Sequence, residues 1–235
     1  MVTKNAAIQT HRVAMITGGS RGIGFETAKT FLKAGFKVTF CGRSQTNVKQ
    51  AEEELKQFGD VFAMAADVRD YGQLKKFIAE TLKRFSRIDV LVNNAGVLWF
   101  GDFQRQDVRS INEEIDVNLK GMLFTTRVVL PEMLRQKKGM IINISSGAGK
   151  HGTPGVATYS ATKFAVVGFT ESLAAELKET NIAVFALCPG NVATDMQEKY
   201  SGRRVGLPPE KIAQEILKLA NAQTRLSSGD ALEIY

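Results

Sequence analysis

Short runs of consecutive apolar residues alternate along the chain with longer stretches whose apolar positions recur every three or four residues. The runs are Val13–Thr17, Lys37–Cys41, Val61–Ala65, Val90–Asn93, Met140–Ser145 and Ala183–Cys188, with a weaker one near Ala231–Ile234. They lack the apolar/polar alternation of a half-exposed strand, which predicts strands buried on both faces. Between them the pattern predicts helices over about 22–34, 46–58, 70–85, 107–136, 157–179 and 208–221. Strand and helix in alternation predict an α/β fold, a doubly wound parallel sheet of about seven strands with helices on both faces. No repeat, low-complexity segment or linker interrupts the pattern. A single domain is therefore expected over 1–235, with 1–11 as a flexible N-terminal segment. Ligands of such sheets sit beyond the carboxyl ends of the strands, so unusual residues should collect there.

They do. The first strand runs into Thr17-Gly18-Gly19-Ser20-Arg21-Gly22-Ile23-Gly24 and directly on into a helix. Gly18 permits a tight turn, Gly22 lets backbone approach a ligand, and Gly24 allows close contact between helix and strand. Free amides at the helix start, with its dipole, favour a pyrophosphate, and Ser20, Arg21 and Ile23 share that turn. The spacing differs from G-x-G-x-x-G, and the Gly-Lys-Ser/Thr ending of a nucleoside-triphosphate loop is missing, which argues against an ATPase or GTPase. The second strand ends Cys41-Gly42-Arg43-Ser44. With no carboxylate there for an adenosine ribose, and with Arg43 as a planar cation that Arg21 can supplement, NADP(H) is favoured over NAD(H). Asp67-Val68 follows the third strand; Asp67 either meets the adenine amino group or caps the helix that begins near Asp70. Asn93-Asn94-Ala95-Gly96 follows the fourth, where small residues let the chain pass close to a cofactor.

The fifth strand ends in the hydroxyl pair Ser145-Ser146, and downstream stands Tyr159-Ser160-Ala161-Thr162-Lys163. Tyr159 and Lys163 are i and i+4 and share a helix face. The ammonium is expected to favour phenolate over phenol and to lower the tyrosine toward useful acid–base range. Asn118 is an amide inside an otherwise amphipathic helix, suited either to a local kink or to holding a water through backbone and side chain.

Together these residues resemble the short-chain dehydrogenase/reductase family over nearly the whole chain. The resemblance rests on Thr17-Gly18-x-x-x-Gly22-x-Gly24, Asp67, Asn93-Asn94-Ala95-Gly96, Asn118, Ser146, Tyr159-x-x-x-Lys163 and Pro189-Gly190-x-x-x-Thr194. It implies a Rossmann-type NAD(P)-binding domain with Tyr159 as general acid in carbonyl reduction. It also implies that Ser146 orients and polarises the carbonyl, that Lys163 lowers the tyrosine and holds the nicotinamide ribose, and that Asn118 anchors a relay water. The carboxamide would meet the backbone near Val192, with Thr194 nearby, after the Pro189-Gly190 turn. Among its members the chain most resembles the 3-oxoacyl-[acyl-carrier-protein] reductases, and the basic run Arg135–Lys138 fits an acidic carrier. Thr180 departs from the second basic residue common in them, and Ser227–Tyr235 lacks their Asn/Asp-Gly-Gly motif. The substrate thus stays open among acyl thioesters, ketones, aldehydes and sugars. The family also implies a homotetramer, or a dimer, built through helices 107–136 and 157–179. About 191–207 is expected to be a short, polar substrate-covering loop. Leu98-Trp99-Phe100 and His151–Val156 are expected as further walls.

Composition narrows the alternatives. Of 235 residues, 44% are hydrophobic and 23% charged, which disfavours disorder. Two cysteines and two histidines supply neither a disulfide framework nor a histidine metal site, so no metal is expected. Met1–His11 is polar and no apolar run approaches ~20 residues, so a cytoplasmic protein with no membrane partner is expected. The net charge of +7 comes mostly from cations interleaved with acids, as in Glu52-Glu53-Glu54-Leu55-Lys56, which disfavours nucleic acid. A protein that binds NADP(H) without turnover is the alternative to an enzyme.

Overall fold

The computed structural model describes residues 12–235; the expected flexible segment 1–11 lies outside the described residues. The elements follow in the order β1 (Val13–Thr17), α1 (Gly22–Lys33), β2 (Lys37–Gly42), α2 (Gln45–Leu55), β3 (Val61–Ala65), α3 (Tyr71–Phe85), β4 (Val90–Asn93) and α4 (Val108–Glu114). Then come α5 (Gly121–Gln136), β5 (Gly139–Ile144), α6 (Ala157–Glu176), β6 (Ile182–Pro189), α7 (Asp195–Ser201), α8 (Pro209–Ala220) and β7 (Ala231–Ile234). All seven strands pair in parallel in the order β3-β2-β1-β4-β5-β6-β7. The chain builds outward from β1 to β3, then returns to place β4 on the other side of β1. That reversal opens a crevice at the carboxyl ends of β1 and β4.

Strand side chains point alternately to the two faces, and the core divides accordingly. Ala14, Ile16, Val38, Phe40, Val90 and Val92 pack with Phe31 of α1, Leu55 of α2 and Ile212 and Ile216 of α8. Met15, Leu91 and Ile141 pack instead with Leu74 and Phe77 of α3, Met133 of α5 and Leu173 of α6. Each fully buried side chain of this size contributes about 1.5–3 kcal/mol, and Phe31, Phe40 and Phe77 are wholly inaccessible. Near the amino ends of the strands, buried Asp89 accepts a 2.8 Å hydrogen bond from the Val13 backbone N–H. It is held in turn by a bidentate Arg87, and this joins the start of β1 to that of β4.

Two expectations need correction. The helix predicted over 107–136 is divided by a π-helical stretch at Ile115–Lys120, where the Gly121 N–H reaches back five residues to Asp116 O. The extra residue in the turn rotates the following side chains, and Asn118 ends up 2% exposed. The segment 191–207, expected as a loop, contains α7. Thr194 caps it by accepting from the Gln197 N–H, and Gly202 ends it in left-handed conformation at φ 74°.

Candidate active site

A cleft of about 710 Å³ opens along the carboxyl ends of β1, β2, β4, β5 and β6. At its centre the β1–α1 turn forms a cradle in which Gly18, Gly22 and Gly24 keep the backbone clear of side chains. Gly18 adopts φ 67°, in the left-handed region. A Cβ on Gly24 would come within 2.2 Å of Gly18 O and 2.5 Å of Asn94 Nδ2. α1 carries no acidic residue in its first turn and no side-chain cap, so its leading amides are left to an external acceptor. The residues present therefore fit a pyrophosphate. Thr17, which sequence reasoning passed over as a site residue, secures this geometry. Its hydroxyl accepts from the backbone N–H groups of Asn94 and Ala95, at 3.1 Å each. The Asn94 amide donates to Thr17 O and Gly18 O, so Asn94 braces the cradle with its side chain.

At the β2 end, Gly42, Arg43 and Ser44 line the cleft together with Asn47. Ser44 caps α2 through a 3.3 Å bond from the Asn47 N–H. Arg43 is 51% exposed and bonds Glu113 of α4 at 3.0 Å. Arg21 does not turn toward Arg43: its guanidinium lies 3.8 Å from Asp195 at the start of α7, drawn there by the opposite charge. Asp67 and Val68 both line the cleft. The helix-cap alternative for Asp67 fails, because Asp70 caps α3 by accepting from the Gln73 N–H. Asp67 instead binds Arg69 through both carboxylate oxygens. Burial tends to raise its pKa, but the hydrogen bonds and charge of Arg69, with Arg43 beyond, hold it below the usual range. Arg69 is thus a second cation in this region. Only the Asp-Val-Arg sequence itself could have signalled it.

At the β5 end the structure brings Ser146, Tyr159 and Lys163 together around one corner of the cleft. Ser146 stands two residues beyond β5, and its hydroxyl accepts from the Ala148 N–H at 3.2 Å. Lys163 is 4% exposed and donates to Ile144 O at 2.8 Å, with its ammonium 5.4 Å from the centre of the Tyr159 ring. Ser145 ties this corner to α6, since its hydroxyl donates to Lys163 O at 2.8 Å. The electrostatics correct the sequence expectation. Burial pushes Tyr159 up to about 12, against the Ser146 hydroxyl, which lowers it, while the charge of Glu114 raises it further. Burial also lowers Lys163 to about 8. Desolvation of both groups outweighs the attraction that sequence spacing alone suggested.

Asn118 sits at the kink that one sequence reading allowed, inside the π-helical stretch. Its Oδ1 accepts from the Val97 N–H at 2.7 Å, and its Nδ2 donates to Val97 O at 2.9 Å and to Thr162 Oγ1 at 3.3 Å. Both amide protons are spent, so the side chain fastens the π-turn to the strand-end loop and to α6. Any water it holds must be held by a carbonyl oxygen. Gly96 lies beside both Asn118 and Lys163.

Beyond β6, Pro189, Gly190, Val192 and Thr194 line the cleft with Met196 of α7 and Tyr235. The Thr194 side chain sits against Gly22, where a Cβ would meet its Cγ2 at 3.4 Å. Leu98, His151, Thr153 and Val156 supply walls as expected, but Trp99 and Phe100 do not line the cleft. Their rings lie against Gly101 and Gly155 instead, a local plug that clasps two loops. Arg204 binds Asp195 and Glu198 and so serves α7.

Comparison with known proteins places this geometry. The family model described as short chain dehydrogenase matches residues 12–204. A 3-oxoacyl-[acyl-carrier-protein] reductase of Synechocystis is 40% identical over 198 residues, covering 83% of this chain and 80% of the relative. Among solved structures, a single-site variant of actinorhodin polyketide ketoreductase with NADPH superposes with a TM-score of 0.90 at 32% identity, covering 97% of each chain. A 3-ketoacyl-(acyl-carrier-protein) reductase of Brucella melitensis complexed with NADH superposes with a TM-score of 0.89 at 28% identity, covering 95% of this chain and 96% of the other.

Proposed function

The chain belongs to the short-chain dehydrogenase family and is an oxidoreductase, and on that premise we propose that it reduces a carbonyl group with NADPH, with Tyr159 as the proton donor. The observation that carries this reading is the convergence of Ser146, Tyr159 and Lys163 beside a glycine-rich turn that fits a pyrophosphate. Reversed, the same site oxidises the corresponding alcohol. One domain, covering the whole described sheet, does all of this.

When bound, the nicotinamide cofactor would supply the hydride that the carbonyl carbon needs. Tyr159 gives its phenolic proton to the carbonyl oxygen, completing the alcohol. Ser146 hydrogen-bonds the same oxygen and fixes its distance from Tyr159. A tyrosine raised to about 12 by burial is protonated at neutral pH, as a donor must be. Lys163 keeps a cation beside the phenolate left after transfer, and Asn118 ties the supporting loop and offers a carbonyl oxygen to a relay water. Gly18, Ser20, Gly22, Ile23 and Gly24 hold the pyrophosphate, while Ala95 and Gly96 leave room for the cofactor. Pro189, Gly190, Val192 and Thr194 meet the carboxamide.

Preference for NADP(H) over NAD(H) rests on Arg43 and the absence of an acid at Gly42, with Arg69 alongside. Binding would exchange the Arg43–Glu113 pair for a 2′-phosphate. Charge-assisted hydrogen bonds of this kind are worth about 1.5–3 kcal/mol, so Arg43→Ala is expected to raise the NADPH KM by ~10–100-fold. The NADH KM should be nearly unchanged. A panel of ketones, aldehydes and 3-oxoacyl thioesters assayed with both cofactors tests this. Wild-type protein that prefers NADH, or a variant that loses both cofactors equally, would contradict the assignment.

The substrate is a small-molecule carbonyl compound and a carrier-bound acyl group is within reach of this reading, although Arg135 is already committed to Glu132 by two hydrogen bonds. Exposed Phe164 on α6 and Leu134 on α5 support self-association through these helices, as a homotetramer or a dimer. Among the described residues no helix is long and apolar enough to cross a membrane. A cytoplasmic location and the absence of a nucleic-acid partner remain part of the proposal.

A further inference from the structure

Glu114, the last residue of α4, is only 2% exposed. A carboxylate this deeply buried ordinarily has a cation beside it, since desolvation penalises the charge. Glu114 has neutral donors instead. Its Oε1 accepts from the Trp99 backbone N–H at 2.9 Å, and its Oε2 accepts from Gln106 Nε2 at 2.8 Å. Gln106 Oε1 in turn accepts from the Thr158 hydroxyl at 2.6 Å. Thr158 adjoins Tyr159 in the first turn of α6, and Gln106 and Thr158 are themselves buried. One chain of hydrogen bonds therefore joins the loop after β4, the segment leading into α4, α4 itself and the turn that presents Tyr159.

We propose that Glu114 is a positioning residue: it clamps these segments together and sets a buried anion behind the turn that presents Tyr159, biasing the site toward carbonyl reduction. This rests on the reading of Tyr159 as the proton donor. The charged and polar groups around Tyr159 are the Lys163 ammonium from its own helix, the Ser146 hydroxyl just beyond β5 and, two hydrogen bonds away through Gln106 and Thr158, the Glu114 carboxylate of α4. Lys163 stabilises the phenolate and Glu114 opposes it. Glu114 itself faces Trp99 N–H, Gln106 and its neighbour Glu113; burial raises its pKa, the two hydrogen bonds lower it and Glu113 raises it. The electrostatic direction agrees with the geometry: an anion behind the phenol makes proton release harder and proton donation to a substrate oxygen the resting capability of the site.

The test is the pH dependence of kcat/KM for alcohol oxidation, which needs the phenolate and so climbs over the accessible range below the Tyr159 titration at about 12. Glu114→Gln removes the charge. Its amide oxygen can still accept from Trp99, and Gln106 can flip because the Thr158 hydroxyl both donates and accepts. Removing the anion stabilises the phenolate, so the rise should move to lower pH by on the order of half a unit to one unit. At a given pH on the rise, kcat/KM should therefore stand about three- to tenfold above wild type. Glu114→Met, similar in size but unable to accept from Trp99 or Gln106, should move the rise the same way, and Glu114→Asp, which keeps the charge, should leave it in place. A rise that stays at the wild-type pH in both uncharged variants overturns the proposal, whether or not turnover falls, because a purely structural clamp would lower activity without moving the titration. Tyr159→Phe is run alongside. If that variant retains wild-type turnover, the proton-donor reading fails and takes this one with it; if turnover needs Tyr159 but the rise is unmoved, only the Glu114 proposal fails.

Discussion

Tyr159→Phe should lower kcat for carbonyl reduction by roughly 10²–10⁴-fold, the range over which a positioned acid or base contributes. The substitution removes one oxygen and little else. A phenyl ring keeps the stacking beneath the Lys163 ammonium, 5.4 Å from the ring centre, and the α6 turn that carries it is held by Thr158 and Gln106. Fold and cofactor affinity are therefore expected to survive, so that a fluorescence titration with NADPH gives a Kd close to wild type. The loss should lie in kcat at saturating substrate, where an interaction made only in the transition state is read. A variant that turns over at the wild-type rate would show that the proton comes from elsewhere.

Gly24→Ala is expected to have the second large effect, on binding and stability. The added methyl would sit 2.2 Å from Gly18 O and 2.5 Å from Asn94 Nδ2. One neighbour is backbone, and the other is a side chain already bonded to Thr17 O and Gly18 O, so neither can move without opening the β1–α1 turn. Overpacking of this kind costs about 1–3 kcal/mol, and more where backbone is the obstacle. A lowered Tm and an NADPH Kd weakened by about tenfold or more, equivalent to ~1.4 kcal/mol, are the expected readouts. Wild-type values for both would mean that the turn has more room than its contacts imply.

The sheet was legible in the sequence because its strands are buried on both faces. Runs such as Val13–Thr17 and Val90–Asn93 have no polar face to confuse their ends, and both strands have the predicted bounds. The cradle and the Tyr159/Lys163 pair were also readable, since each is local: a glycine turn between strand and helix, and two side chains four residues apart. What escaped were features produced by packing at a distance. A π-turn shifts a helical pattern by a single residue, so beyond the out-of-place amide at Asn118 nothing in 107–136 announced the break at Ile115–Lys120. Glu114 reads as a solvated charge on an amphipathic helix, and only the closing of α4 against α6 buries it. Arg43 and Glu113 lie far apart in sequence, as do Arg21 and Asp195, so neither pairing could be anticipated. The tyrosine's protonation state was missed for a related reason. Spacing shows the ammonium beside the phenol but not the desolvation that outweighs it. α7 left a trace that could have been used, because Thr194-Asp195-Met196-Gln197 has the spacing of a capping box ahead of a short helix.

The most direct measurement follows a label from cofactor to product. Wild-type protein is incubated with NADPH deuterated at the transferable C4 position and with a panel of ketones, aldehydes and 3-oxoacyl thioesters, and the products are analysed by mass spectrometry and NMR. The expected result is an alcohol carrying deuterium on the former carbonyl carbon, formed in step with cofactor oxidation and lost in Tyr159→Phe. Tight binding of NADPH with no label transferred to any carbonyl compound would contradict it, and would mark the protein as one that binds the cofactor without using it.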